Sequence, residues 1–196
     1  MEFPEVSFVL PDWVEGFLMQ SSLILPSVED RMRLAIALAQ QNVEQQTGGP
    51  FGAIIVEQQS GKLIALGVNR VVQSNCSVIH AEILAIMLAQ KALETFDLGR
   101  QGLPDLQLIS SVEPCAMCLG AIYWSGVKSL VIGARDEDAR KVGFDEGVKP
   151  TDWVSAFDKQ GFSIVQDVCR SEAAAVLNNY ASDGGIIYNP TGSSSD

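Results

Sequence analysis

Residues 106–134, "LQLISSVEPCAMCLGAIYWSGVKSLVIGA", decide the fold because two local patterns alternate within them. A strand-like apolar run fills 106–110, a helix-like run follows, and a second strand-like run fills 127–134. We predict that Pro114 is the first residue of the helix, since its missing N–H is not needed there. The connection is long enough for a parallel crossover, so the two strands are predicted to lie parallel in one sheet.

The flanking sequence adds three more strands. "FGAIIVEQ" and "KLIALGVN" are β-rich runs separated by "SG", which predicts a hairpin. A first helix is predicted to begin after a capping Ser27 and to end at the left-handed-tolerant "TGG" of 47–49. The remaining segments are predicted as helices at 79–94, 151–159 and 170–181, a strand at 162–168, and loops at 70–78 and 135–150. The sum predicts a three-layer α/β/α domain on a mixed five-stranded sheet.

We divide the chain into an N-terminal arm (1–26), one domain (27–181) and a C-terminal tail (182–196). The chain has 196 residues, of which 47% are hydrophobic, which suits a single well-buried core. The arm is apolar without a clear period, so we expect it to pack on the body or on a partner. The tail begins apolar and ends polar, and we expect that it can close the site.

The net charge of −11 disfavours tight contact with nucleic acid or with anionic lipid. No apolar run is long enough to span a bilayer. The four cysteines do not form a secreted disulfide pattern, so we expect a protein of the reducing cytoplasm. We predict Cys76 as a free thiol, Cys169 as a small apolar packing residue and Trp124 as a core residue.

The chain's only histidine, His80, heads one predicted helix, and Cys115 and Cys118 lie on one face of the first turn of another. Two helix starts at one sheet edge can converge, and His, Cys and Cys are three ligands of a zinc site whose fourth position stays open. Glu82 could face a water in that position and move its proton. The competing interpretation is that His80 caps its helix and that the cysteines pack in the core.

The combined H-x-E and P-C-x-x-C pattern resembles that of zinc-dependent base deaminases. The chain is similar to the cytidine-deaminase superfamily over about residues 28–150, and within it to bacterial guanine deaminases and the neighbouring tRNA adenosine deaminases. "GFDEG" resembles the guanine branch in particular. The other segments that carry the resemblance are "GGPFGAIIV" (48–56), "NRVV" (69–72), "HAEILAI" (80–86) and "EPCAMCLGAIYWSGV" (113–127).

The resemblance implies a homodimeric deaminase with one zinc per chain, held by His80, Cys115 and Cys118, and with Glu82 as proton carrier. It further implies that Asn69 and the backbone of Ala81 contact the base, and that an acid at Glu146 faces the amino side of the ring. An aromatic residue of the C-terminal segment closes the pocket, and Tyr188 is our candidate.

Each base-contacting residue has an ordinary alternative. Asn69 could be a turn residue that ends a strand. Glu146 could be one more solvated acid of an acidic loop. Phe51 could stack on a flat base or lie in the core at the start of a strand.

The predicted reaction is the hydrolytic deamination of a small nucleobase, with guanine giving xanthine and ammonia. Two alternatives stay open. One is tRNA adenosine deamination, which the acidic composition fits poorly, and the other is a different small amino ring such as cytosine or an amino-triazine. A further alternative is a catalytically inactive member of the family that serves as a binding subunit. Such a protein would be expected to lack Glu82 or one of the ligands His80, Cys115 and Cys118, and all four residues are present.

Overall fold

A computed structural model describes residues 3 and 5–189 of the chain. Its sheet has five strands in the order β2-β1-β3-β4-β5. Strand β1 runs antiparallel to β2 and β3, whereas β3, β4 and β5 are mutually parallel. The predicted mixed five-stranded sheet, its hairpin and the parallel pair at 106–134 are therefore confirmed. The strands are β1 (Gly52–Glu57), β2 (Leu63–Val68), β3 (Leu106–Val112), β4 (Ser129–Ala134) and β5 (Ser163–Val165).

Helices cover both faces of the sheet, and a hydrophobic cluster lies under each layer. Alternate residues of a strand point to opposite faces, so Ile54 packs under α1, α2 and α7, and Ile55 packs under α3, α4 and α6. The predicted three-layer arrangement is confirmed. The helices are α1 (Trp13–Met19), α2 (Val28–Glu44), α3 (Ala81–Ala92), α4 (Ala116–Ser125), α5 (Asp136–Lys141), α6 (Trp153–Asp158) and α7 (Arg170–Ser182).

Most predicted helices differ from the structure by a few residues at one or both ends, and the start of α4 and the end of α2 are the clearest cases. Helix α4 begins at Ala116 rather than Pro114, because the backbone of Cys115 is still extended, with ψ at 171°, and Cys115 is the N-cap residue. Helix α2 begins after Ser27 as predicted, and the Ser27 side chain accepts the N–H of Asp30. At the other end, Gln46, and not a glycine of 47–49, takes the left-handed conformation, with φ at 55°.

Two further predictions are wrong. The segment 135–150 is not all loop, because its first part forms α5, where the Asp138 carboxylate accepts the N–H of Arg135 at 2.9 Å. Trp124 is not a core residue, since 83% of it is exposed. Helix α4 is apolar on all sides, so its sequence gives no sign of which side faces outward.

The N-terminal arm contains α1 and packs on the α2 side of the sheet. Val14 and Leu25 are buried, and Phe17 packs against the same cluster. Residues 1, 2 and 4 of the arm, and residues 190–196 of the tail, lie outside the described residues. Cys169 packs against this cluster as predicted, and Cys76 is a free thiol. Among the described helices, none combines the length and the apolar character needed to cross a membrane.

Candidate active site

Three potential metal ligands meet where α3 and α4 begin. His80 and Cys115 are the N-cap residues of these helices, with extended backbones, and neither side chain makes a capping hydrogen bond. The Nδ1 atom of His80 lies 3.5 Å from the Sγ atom of Cys115 and 3.6 Å from that of Cys118. The three ligand atoms all lie within 4.8 Å of one another. The alternative in which His80 caps α3 through its side chain is therefore not what the structure shows.

These distances fit a zinc ion. In a tetrahedral site with the usual Zn–N and Zn–S bond lengths, nitrogen and sulfur lie about 3.6 Å apart. The donor set of one imidazole and two thiols leaves one position for a water or a substrate, as in catalytic zinc sites. The three residues predicted as ligands thus form a plausible metal site.

The environment of the two thiols favours a thiolate. A hydrogen bond from Cys118 and a second from His80 lower the pKa of Cys115 to about 4. The same Cys115–Cys118 hydrogen bond, together with burial, raises the pKa of Cys118, because the pair shares one proton. A thiolate is the metal-binding form of cysteine, so the lowered pKa of Cys115 favours the binding of a metal ion.

Glu82 lies in the first turn of α3, beside the three ligands and not among them. Its carboxylate is buried and accepts a hydrogen bond from the Ser110 hydroxyl at 3.2 Å, while the Cys118 thiol lies 3.5 Å from its other oxygen. Burial raises the pKa of Glu82, and the negative charge of Cys115 acts in the same direction. The role of Ser110 was not predicted, because Gln107 and Ser111 are also polar residues of β3 and the sequence does not set Ser110 apart from them.

Glu146 is a second buried carboxylate near the ligands. Only 6% of it is exposed, and its carbonyl oxygen accepts the N–H of Ala116, the first residue of α4, at 3.0 Å. Burial, and then the charge of Cys115, raises the pKa of Glu146 to about 8. Within the described part of the chain, no group donates a hydrogen bond to this carboxylate. Glu137, in the same acidic segment, is instead exposed and pairs with Arg170.

A small pocket of about 50 Å³ adjoins His80. Phe51 forms part of its wall and packs edge-on against Phe144, with the ring centroids 4.9 Å apart. The Asn69 side-chain oxygen accepts the N–H of Val71 at 3.3 Å, which is a turn interaction, whereas its amide nitrogen has no partner among the described residues. The pocket is lined by Gly49, Phe51, Asn69, Val71, Val72, His80, Phe144, Tyr180, Ile186 and Tyr188.

The other two predicted contact residues occupy different positions. Tyr188 lines the pocket from the C-terminal segment and is about half exposed. Ala81 is fully buried, and its carbonyl oxygen lies against Gly67 of β2. As the first residue of α3, Ala81 has an N–H without an intrahelical acceptor.

Side-chain hydrogen bonds to the backbone hold the C-terminal segment over the pocket. The Tyr180 hydroxyl donates to the carbonyl oxygen of Ile186 at 2.7 Å. The Asn189 amide donates to Gly143 at 2.9 Å and accepts from the N–H of Asp145 at 2.8 Å. Asn189 therefore ties this segment to the loop that carries Glu146. The sequence pattern gave no signal for this contact.

A buried ion network joins the start of α4 to the same loop. The Lys149 ammonium contacts the carboxylates of Glu113 at 2.9 Å and Asp136 at 2.6 Å, and it donates to the carbonyl oxygen of Pro114 at 3.1 Å. The Trp153 indole also donates to Glu113, at 3.1 Å. The roles of these residues were not predicted, although Glu113 immediately precedes Pro114 and the two cysteines in the sequence.

Fold and site together define a metal-dependent hydrolase with an aromatic-walled pocket. Residues 26–134 match the family model described as the cytidine and deoxycytidylate deaminase zinc-binding region. The chain therefore belongs to this family of zinc-binding deaminases and is an aminohydrolase.

Individual relatives agree with this assignment. The chain is 44% identical to a guanine deaminase of Bacillus subtilis (strain 168) over 60% of this chain and 71% of the relative. It is 42% identical to a solved guanine deaminase from Nitrosomonas europaea, with a TM-score of 0.85 and coverage of 91% of this chain and 97% of that one. A tRNA-specific adenosine deaminase of Buchnera aphidicola is 32% identical over 80% of this chain and 96% of the relative.

Proposed function

We propose that this protein converts guanine and water to xanthine and ammonia, with zinc held by His80, Cys115 and Cys118. When bound, zinc supplies the Lewis acidity that lets a water lose a proton near neutral pH. The likeness to two guanine deaminases supports the substrate. The observation that carries the proposal furthest is the buried Glu146 carboxylate, which has no donor of its own within the described residues.

Guanine presents a ring N–H and an amino group side by side, and a carboxylate is a natural acceptor for such donors. Guanine bound against Glu146 would therefore bring donors to a buried carboxyl group that has none among the described residues, and would favour its charged form. Asn69 would bond the other edge of the base through its free amide nitrogen, and Phe51 would pack on the flat ring. These contacts would place the ring carbon that bears the amine next to Glu82.

Glu82 performs the proton transfers in this proposal. Its carboxylate takes a proton from the attacking water while the C–O bond forms at the ring carbon. It then gives that proton to the adjacent ring nitrogen. A second transfer moves the remaining proton of the attacking oxygen to the amine as the C–N bond breaks and the C=O bond forms. The Ser110 hydroxyl, which donates to the Glu82 carboxylate at 3.2 Å, would hold it in place during this sequence. Glu146 would be a second proton carrier or would hold the amino group.

Ammonia release from a panel of amines tests the substrate. The panel contains guanine, guanosine, adenine, cytosine, an amino-triazine and tRNA, and xanthine is followed by its absorbance. We expect release from guanine and none from tRNA, because the net charge of −11 opposes a polyanion. Release from tRNA or cytosine with none from guanine would contradict the proposal. Glu82→Gln is the control for background hydrolysis.

We also infer a homodimer formed through the exposed side of α4. Trp124, Tyr123 and Met117 expose apolar surface on this helix, and Val148 is exposed beside it. An adjoining groove of about 240 Å³ has an apolar lining. Exposed apolar patches of this kind mark interaction surfaces. Light scattering should show a dimer that Trp124→Asp dissociates, whereas Phe96→Asp, at an equally exposed aromatic residue elsewhere, leaves it intact.

The compartment we infer is the reducing cytoplasm. All four cysteines are free thiols, and two of them must stay reduced to bind zinc.

A further inference from the structure

Asn42, near the end of α2, is a fully buried amide that donates both of its hydrogen bonds to residues of the pocket wall. Its nitrogen donates to the carbonyl oxygen of Gly49 at 2.9 Å and to that of Asn69 at 2.8 Å. Its oxygen accepts the Thr47 hydroxyl at 2.8 Å. Because two of these partners are carbonyl oxygens, only the nitrogen can face them, and the orientation of the amide is fixed.

The two chain segments that Asn42 holds are the ones that line the pocket beside His80. Gly49 and Phe51 belong to one segment, and Asn69 ends the other. The segments lie in close contact. A Cβ atom at Gly48 would lie 1.7 Å from the Asn69 carbonyl oxygen and 2.5 Å from the Asn42 amide nitrogen. Glycine at 48 is therefore required by this contact rather than by a left-handed backbone.

Helix α1 extends the same hydrogen-bond chain to the N-terminal arm. The Trp13 indole N–H donates to the Thr47 hydroxyl oxygen at 2.8 Å. That hydroxyl has one proton, which it gives to Asn42. In the hydrogen-bond chain Trp13–Thr47–Asn42, each group therefore donates to the next one, from the N-terminal arm toward the pocket wall. Trp13 lies outside the residues that match the family model.

We propose that Asn42 is a positioning residue for the base pocket and that α1 locks it through Trp13 and Thr47. The proposal rests on the proposed function, since it is the Asn69 side chain that would meet the base. Losing one link would let the segments around Gly49 and Asn69 shift relative to each other. The zinc ligands stand on other elements and would not move. The expected signature is therefore weaker base binding with the chemical step unchanged.

Two single variants and their double variant test this hydrogen-bond chain in the zinc-loaded protein. Trp13→Phe removes the donor and keeps an aromatic ring, and Thr47→Val removes the hydroxyl and keeps the shape. Each should raise KM for guanine, and the Kd for the guanine analogue 8-azaguanine, by about threefold to tenfold, the usual worth of one hydrogen bond. The kcat and the zinc content should stay within twofold. The double variant should be little worse than either single variant, because both break the same chain.

Two controls separate positioning from stability. Thr47→Ser keeps the hydroxyl and should bind as the wild type does. Phe17→Leu disturbs the packing of α1 beside Trp13, with which its ring makes an edge contact, without removing the N–H. It should lower Tm with KM unchanged.

The proposal is overturned if Trp13→Phe and Thr47→Val lower Tm and leave KM and Kd unchanged, or if Phe17→Leu raises KM equally. A wild type that does not deaminate guanine would instead refute the proposed substrate. The same variants would then be compared on the amine that the enzyme does deaminate.

Discussion

The two halves of the candidate site are built by different means. The metal half stands on two helix starts, and its three ligands lie within one turn of α3 or α4. The base half is assembled from segments near 49–51, 69–72, 143–146 and 186–189, which are held by side chains such as Asn42 and Asn189. Helix geometry fixes the first half locally, whereas the second half depends on contacts between distant parts of the chain. Substitutions in the two halves should therefore produce different kinds of defect.

The largest effect is expected in the metal half. The wild type should carry about one zinc per chain. His80→Ala and Cys115→Ser should lose zinc and, with it, essentially all deamination, because two remaining ligands hold the ion weakly. Elemental analysis of purified protein measures this. Full zinc retention in both variants would contradict the assignment of His80 and Cys115 as zinc ligands.

The Lys149 network, which joins the two halves, should affect the free energy of unfolding when it is broken. Lys149→Met leaves the buried carboxylate of Glu113 without its cation, whereas the half-buried Asp136 still pairs with Arg140. Removing one partner of a buried ion pair typically costs about 3–5 kcal/mol. Denaturant unfolding gives the difference in the free energy of unfolding. The control is Lys141→Met, at an exposed lysine that only approaches Asp138, and it should cost less than about 0.5 kcal/mol. Equal small losses would show that the Lys149 network does not hold the loop.

A smaller and purely functional effect is expected in the base half. Glu146→Gln should lower kcat/KM for guanine by about 10- to 100-fold, the worth of one hydrogen bond to a charged group. The zinc content should not change. Glu137→Gln, which removes a charge from the same acidic segment, should change kcat/KM by less than twofold. Similar modest losses in both variants would make Glu146 only one more acid of the loop.

The smallest effect is expected outside both halves, at the start of α5. The hydrogen bond from Arg170 lowers the pKa of Asp138. The carboxylate therefore stabilises the fold above its unfolded pKa of about 3.8, and this stabilisation disappears as the pH falls through the lower folded value.

Asp138→Asn should accordingly reduce the free energy of unfolding by about 1 kcal/mol or less at pH 7. The difference from the wild type should shrink below about pH 4. Unfolding curves of the two proteins at each pH provide the comparison. A difference that grows on acidification would contradict this sign.

The same contrast explains what the sequence could predict. The sheet, its helices and the three ligands follow from patterns a few residues long, such as alternating apolar residues, a capping Ser27 and the C-x-x-C spacing. Ser110, Lys149 and Asn189 act across the fold, on partners 28, 36 and 44 to 46 positions away in the sequence. No local pattern marks such contacts. Trp124 was mispredicted for a related reason, since only the packing of α4 decides which of its apolar sides stays exposed.

The role of Glu82 is the most direct test, because this residue links the two halves. Zinc-loaded Glu82→Gln should bind 8-azaguanine with a Kd within a few-fold of the wild type, as measured by calorimetry. Turnover of guanine by the same preparation should fall by at least about a hundredfold to ten-thousandfold, as expected for a general acid–base group. Full binding with almost no xanthine formation is the result that the account predicts. Near-normal turnover with zinc retained would contradict it.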